Sequence, residues 1–496
     1  MDTNRRSLRL TFTTLCATGA LSALALSSCG SPPSTSGTGG GRSTEEAKKV
    51  TAADCPLDAL EAADGPVDIK LWYAGIVEPP VTVLANAVKG FNESQNKVKV
   101  TADNQGNAYI EGLRKYQSAS RTPDQLPQII YLEDTMLGEM VDKGQVLPAE
   151  ACMLADNYDP NQITAAARAA YTVDGVLYPG YMNVSTPILY YNKVHFEKAG
   201  LDPNKPPTTM AEIEEAAKKI KEWDSSKKPF SFKADQWFFS TWLSGVGQEM
   251  VNNENGRAAP ATEATFDTPE SLELLKQLKS MNSEGLLNPF PVTDGSIDHY
   301  LALVTEVSSM VVETSTASST IAAALGGELT AEDADIDLGS VTLDGKKIVP
   351  ASGQYPGLKA PGQIYASGGA FFMLNTGTKA EQAAAWQFLK YMLQPKVAKD
   401  WTLTGGYLPV VKEIISDPEI AKFRETELDG QLLGPAIDQL ATADPDRSGP
   451  LIGPYRAFQE ILQGALENVL FSNGSPNDSL AKAQREATEL LTDYNG

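Results

Sequence analysis

Histidine is almost absent from this chain: His195 and His299 are the only two in 496 residues. A Ser-His-Asp hydrolase would have to rest on one of them. They lie in unrelated surroundings, and no Gly-x-Ser-x-Gly elbow accompanies either. No Cys-x-x-Cys and no His-Glu-x-x-His occurs, which removes the familiar zinc arrangements. The one glycine-rich run, "GTGGGRST", has no strand before it and is no phosphate loop. Basic clusters are missing too. Lysine and arginine number 41 against 63 acids, a net charge of −22, so the clustered cations that phosphate backbones require are not there. Nucleic acid is thereby excluded as a partner, and electrostatic attraction to anionic lipid is disfavoured. The many acids always offer carboxylate pairs, so a two-carboxylate glycoside hydrolase stays open as an alternative.

Cysteine is scarce as well, with four in all. Cys16 falls in an N-terminal segment where Arg5, Arg6 and Arg9 precede an apolar stretch ending at Leu26. Residues 1–28 read as a signal peptide, too short and wrongly flanked for a membrane span. The segment closes with "LSSCG", which resembles a bacterial lipobox; that resemblance implies that Cys29 carries the lipid as first residue of the mature chain. Ordinary secretion with an unused cysteine is the alternative. "GSPPSTSGTGGGRST" follows and has nothing to bury, so residues 29–60 read as a flexible tether. Cys55 and Cys152 remain. In an exported protein an even pair suggests a disulfide joining the end of the tether to "LPAEACML", against the alternative of two separately buried thiols. The acidity keeps such an exported chain soluble.

The body opens with "GPVDIKLWYAG", an alternating strand, then a helix closed by Gly90, a strand at Val98–Thr101, and the strand "LPQIIYLED". This βαβαβ order predicts parallel strands with helical crossovers, an α/β lobe. The strand ends carry a recurring chemistry. Trp72 and Tyr73 end the first, and Glu133 and Asp134 the third; Trp237 and Trp242 lie in "KADQWFFSTW", Glu313, Ser315 and Ser318 in "ETSTASS", and Tyr407 on a Gly-Gly turn. Ligands of open α/β sheets sit beyond the carboxyl ends of the strands. Aromatic faces with carboxylates and hydroxyls suit a polyhydroxylated ligand, although each aromatic by itself fits a core equally well.

From about Val67 onward the chain resembles the extracellular solute-binding lipoproteins of ABC importers, in the maltose and glycerol-3-phosphate branch. The likeness is carried by "DGVLYPGYMNVSTPILYYNKVHFEKAGLDPNKPPTTMAEIEEAAKKI", "SGGAFFMLNTGTKAEQAAAWQFLKYMLQP", "TGGYLPV" and, more weakly, "GPLIGPYRAF". It implies an α/β, two-lobed periplasmic-binding-protein-like fold of type II, with a ligand cleft between discontinuous lobes. Lobe 1 is expected at 61–186 plus 311–374 and lobe 2 at 187–310 plus 375–496, closing by a hinge motion. The polar turn Asn183–Thr186 is expected to line the cleft, and Pro187 to stiffen the strand that enters the second lobe.

Carried over position by position, the resemblance implies that Tyr73, Glu133, Asp134, Asn183 and Ser185 lie on the first-lobe wall or hinge. Glu313, Ser315, Gly368 and Gly369 join them from the returning segment, the glycines allowing close backbone approach. Trp242 and Tyr407 close from the second lobe, with Trp237 beside them. The same resemblance implies no catalytic residue, metal or cofactor. Its partners are a carbohydrate-like small molecule, importer permease subunits and, through Cys29, the membrane; the chain is expected to be a monomer. Glycerol-phosphate binders of this branch carry an arginine in the block matching "GPLIGP". Here Leu451 takes the best-matching place, with Arg447 and Arg456 offset. That favours a neutral sugar or oligosaccharide over a glycerophosphodiester or glycerol 3-phosphate.

Overall fold

The computed structural model describes residues 50–76, 78–293, 296–326 and 348–495. The signal peptide, Cys29 and the tether up to residue 49 lie outside the described residues; the expected tether ends early, since Ala52–Asp54 and Leu57–Glu61 are helical and Cys55 is bonded into the body.

In the strand Val67–Tyr73, Val67, Ile69 and Leu71 are buried while Asp68 and Lys70 face outward. It pairs in parallel with Val98–Asn104 and with Ile129–Glu133. Ile129–Glu133 shows no polar alternation because it is interior to the sheet: Ser367–Leu374 lies antiparallel on its other side. Ser367–Leu374 also pairs with Val146–Leu147 and with Tyr181–Ser185. The second sheet runs in the order Leu287–Phe290, Phe230–Lys233, Met310–Thr314, Pro187–Asn192, Pro350–Gly353. Its first three strands are mutually parallel and the last two pairings antiparallel.

Two buried clusters pack on the sheets, and the first also takes in Ile188, Tyr190 and Val311 from one face of the second sheet. Ile69, Leu71, Ile130, Phe371 and Trp386 belong to the first, and Leu189, Phe230, Phe232, Leu278 and Phe458 to the second. The chain passes between the sheets at Thr186, which is fully buried between Tyr181–Ser185 and Pro187–Asn192. Pro187 heads its strand, a place in a sheet where a missing N–H costs little. The helix that follows, Lys193–Lys198, stops at Gly200, whose φ is 72°.

The expected lobe division needs correction at two places. Met310–Thr314 and Pro350–Gly353 stay in the second sheet, so the chain returns to the first only at Ser367. The helix Lys379–Met392 packs on Val67–Tyr73 and Leu57–Glu61, in the first lobe rather than the second. Strand pairing decides the first point, since the apolar run at Met310–Val312 fits either sheet. Connection length decides the second: a short turn from Ser367–Leu374, closed by the Thr378–Glu381 capping box, returns the helix to the sheet it left. The chain then rejoins the second lobe, where Leu428–Thr442 packs on Pro350–Gly353 and the helices Tyr455–Phe471 and Pro476–Asn495 pack on each other and on Pro269–Ser283. Cys55 and Cys152 are bonded, Cα atoms 4.9 Å apart, across a separation of 97 residues.

Candidate functional site

The strand Ile129–Glu133 delivers Tyr131, Glu133 and, one residue beyond, Asp134 to the edge of the first lobe. Gly369 stands opposite Glu133 in the ladder. A Cβ on Gly369 would run into the Tyr131 ring, and one on Gly368, whose φ is 140°, into the Asn183 carbonyl. The glycine pair therefore makes room for two side-by-side site residues rather than for the ligand itself. Tyr131 shares its hydroxyl with Tyr109, 3.2 Å away, and accepts from Asn183 Nδ2 at 3.5 Å. Tyr407 hydrogen-bonds into the same group. Tyr171 donates to the Gly368 carbonyl at 2.8 Å.

Asn183 Oδ1, on a residue 1% exposed, is buried without a protein partner, as is Trp237 Nε1 on the helix Gln236–Gly245. Buried polar groups are normally satisfied, so Asn183 Oδ1, next to the Tyr131 hydroxyl, is a place where a ligand or water can bond.

Asp134 Oδ1 accepts from Ser367 Oγ at 2.9 Å and from the Gly368 amide at 3.3 Å. Burial nevertheless pushes its carboxyl up to about 6. Burial, reinforced by the Asp134 charge, pushes Glu133 up to about 7. From the second lobe, Tyr365 and Tyr455 sit within electrostatic reach of Asp134, and Ser240 Oγ bonds the Tyr365 hydroxyl at 2.9 Å. A cavity of about 230 Å³ opens beside Glu133, lined also by Gly75, Tyr109, Thr135, Arg456 and Gln459. A larger hollow of about 760 Å³ lies elsewhere, along Asp68, Lys70, Trp72, Lys99 and Lys115, away from these strand ends.

The site assembles Glu133, Asp134, Asn183, Gly368, Gly369 and Tyr407 from the residues expected; Trp237 shares the helix Gln236–Gly245 with Ser240, whose hydroxyl bonds Tyr365. Tyr407 comes from the first lobe, packed on Trp401 of the helix Pro395–Leu403, not from the second. Trp242, Tyr73 and Glu313 need correction, while Ser185 and Ser315 stay at the crossing between the lobes. Trp242 is 0% exposed in the second core, stacked on Tyr355 with its indole N–H donating to the Pro356 carbonyl at 2.7 Å. Tyr73 turns toward the helix Pro80–Ser94 and lines a separate surface depression with Val81 and Leu84. Glu313 is buried against His299 and 3.6 Å from Lys233, and the Lys233 charge with the contact to His299 holds its carboxyl down to about 2 despite burial. Ser315 is a hinge staple: its amide donates to the Thr186 carbonyl at 2.8 Å and its Oγ accepts from the Thr186 amide at 3.3 Å. Ser185 stands beside it, opposite Ser367. Sequence reading missed Tyr109, Tyr131, Tyr171, Tyr365 and Tyr455. Tyr131 is the one a signal could have found, two residues before the acid pair on a strand otherwise fully aliphatic up to Glu133.

Residues 86–425 match the family described as bacterial extracellular solute-binding protein. The sn-glycerol-3-phosphate-binding periplasmic protein UgpB of Brucella abortus is 29% identical over 369 residues, 71% of this chain and 77% of that one. Among solved structures, UgpB of Mycobacterium tuberculosis in complex with glycerophosphocholine has a TM-score of 0.69 at 16% identity, over 87% of this chain and 99% of that one. The cyclic alpha-maltosyl-1,6-maltose binding protein of Arthrobacter globiformis has a TM-score of 0.67 at 21% identity, over 87% and 100%. With two sheets, two cores, a Thr186 crossing and a polar site between them, the chain belongs to the bacterial extracellular solute-binding proteins.

Proposed function

We propose that the cleft captures a neutral sugar or oligosaccharide outside the membrane and delivers it to the permease of an ABC importer. The body is held at the membrane by a lipid on Cys29 and acts as a monomer. The observation that carries the ligand class is the Glu133–Asp134 pair among tyrosine hydroxyls, with Asn183 Oδ1 unpartnered; Trp237 Nε1, also unpartnered, is the proposed donor from the second lobe. Hydroxyl groups of a sugar can donate to the carboxylates and Asn183, accept from the indole, and lay CH faces on the rings.

A phosphate beside two carboxylates is repelled, and the nearby arginines are engaged. Arg257 donates to backbone carbonyls, Arg447 to the Gly245 carbonyl and Gln363, and Arg456 to Glu460 at 3.0 Å. The names of the relatives favour a second reading, a glycerol 3-phosphate or glycerophosphodiester receptor; Arg456 on the cavity wall is the observation on its side.

A thermal-shift screen against sugars, polyols and glycerophosphodiesters tests both. A ligand at about 100 times its Kd stabilises by about 2.7 kcal/mol. A sugar that raises Tm supports the first reading, and a glycerophosphodiester that does so replaces it with the second. Release of cleaved sugars on long incubation would instead support a hydrolase.

A further inference from the structure

Asn253, Glu254, Asn255 and Gly256 carry φ values of 59°, 55°, 55° and 75°. L residues visit this left-handed region singly, not in runs, so a whole turn of it persists only where its surroundings hold it. The holding contacts are specific. Asn255 Oδ1 accepts from the Met250 and Val251 amides at 2.7 and 3.3 Å, and its Nδ2 donates to the Ser448 carbonyl at 3.2 Å. The Leu451 amide donates to the Asn255 carbonyl at 2.8 Å, and a Cβ on Gly256 would come within 2.6 Å of the Leu451 carbonyl. The segment Ser448–Leu451 thus serves as the seat of this turn.

The turn delivers Arg257. Its Nε and Nη2 donate to the Gly449 carbonyl at 3.2 and 3.0 Å, within its own lobe. The rest of the guanidinium crosses to the first lobe. Nη1 donates to the carbonyls of Ala169 and Thr172, both at 3.1 Å, and Nη2 to that of Ala170 at 3.4 Å. The Ala169 and Ala170 carbonyls lie at the C-terminus of the helix Ala165–Ala170, where a cation is favoured, and Thr172 opens the short strand that follows. Tyr171, between them, anchors Gly368 at the floor of the site.

We propose that Arg257 is an interlobe latch. Its planar fork docks the second lobe on the end of Ala165–Ala170, so that the ligand-free chain already populates the closed arrangement and the solute completes a closure partly made. Arg257 then acts as a positioning residue, and its removal shifts the open–closed ratio without removing a ligand contact.

Double electron–electron resonance on the full chain in detergent, with spin labels at Lys89→Cys and Lys482→Cys and no ligand, tests this. Ligand-free wild type is expected to give a dominant closed distance. Arg257→Ala is expected to raise the ratio of open to closed distances at least tenfold while the disulfide and Tm transition persist. Should that variant fail to fold, Arg257→Lys, which keeps the charge and loses the fork, carries the same expectation. Identical distance distributions for wild type and variant would overturn the proposal, as would a ligand-free wild type that is wholly open. The result is independent of which solute the cleft takes.

Discussion

Glu133 and Asp134 hold the most perturbed acids of the cleft, and the direction of their shifts has consequences for pH. Their folded values, about 7 and about 6, lie above those of the unfolded chain. The stability they contribute is fully present below about pH 4 and is lost as pH rises through 6 and 7. Glu133→Gln should therefore raise the unfolding free energy at pH 8 by about 1–2 kcal/mol, once solvent access to the cleft is allowed for, and leave it unchanged near pH 4. The same substitution should weaken binding about tenfold or more, since it removes an acceptor the ligand hydroxyls need. Glu313 is opposite in sign: its carboxyl, held at about 2 by Lys233 and His299, contributes stability above about pH 4.5 that is lost as pH falls toward 2. The tryptophans separate cleanly. Trp242→Ala should cost about 3–5 kcal/mol in a denaturant titration, as a core truncation does, and leave the affinity of the folded fraction unchanged. Trp237→Phe should do the reverse, keeping Tm while the lost indole donor weakens binding. Equal affinity for Trp237→Phe and wild type would take Trp237 out of the site.

At the scale of elements, the Gly368–Gly369 entry to its strand and the Cys55–Cys152 bond are the places where a small change propagates. Gly369→Ala puts a methyl into the Tyr131 ring. Tyr131 must then move, and Tyr109, Asn183 and Tyr407 lose a shared partner. The expected outcome is a fall in ligand affinity larger than the fall in Tm, measured by calorimetry on the two proteins; a variant that binds as wild type does would show that Tyr131 is not needed where it stands. The disulfide closes a separation of 97 residues and ties the segment before the first strand to the helix Ala149–Ala155. Cys152→Ser should lower stability by about 2–5 kcal/mol on the chain-entropy account. The individual elements were legible in advance where a local rule decides them. Alternation marked Val67–Tyr73, Thr268 with Pro269 marked the start of a helix, and Gly200 the end of Lys193–Lys198. Met310–Thr314 was legible as a strand but not as a member of one sheet, because an apolar run buried on both faces carries no label for its neighbours.

For the whole molecule, the sequence by itself determined the class of protein, the two-lobed plan and the crossing next to Pro187. Those follow from local patterns and from blocks whose order along the chain is itself the signal. It also placed the acid pair, because an abrupt Glu-Asp at the end of an aliphatic strand is visible without coordinates. What only the tertiary structure decided is which side chains face the cleft. Trp242 and Trp237 lie five residues apart on one helix, Gln236–Gly245, and are alike in sequence. One points into the second core and the other has an unpartnered N–H. Tyr131, Tyr365 and Tyr455 come from segments far apart in the chain and meet around two carboxylates, and Arg257 reaches across to a helix end some ninety residues before it. Side-chain direction within an element depends on how the element packs, and meetings between lobes depend on three-dimensional closure, so neither is written in residue spacing.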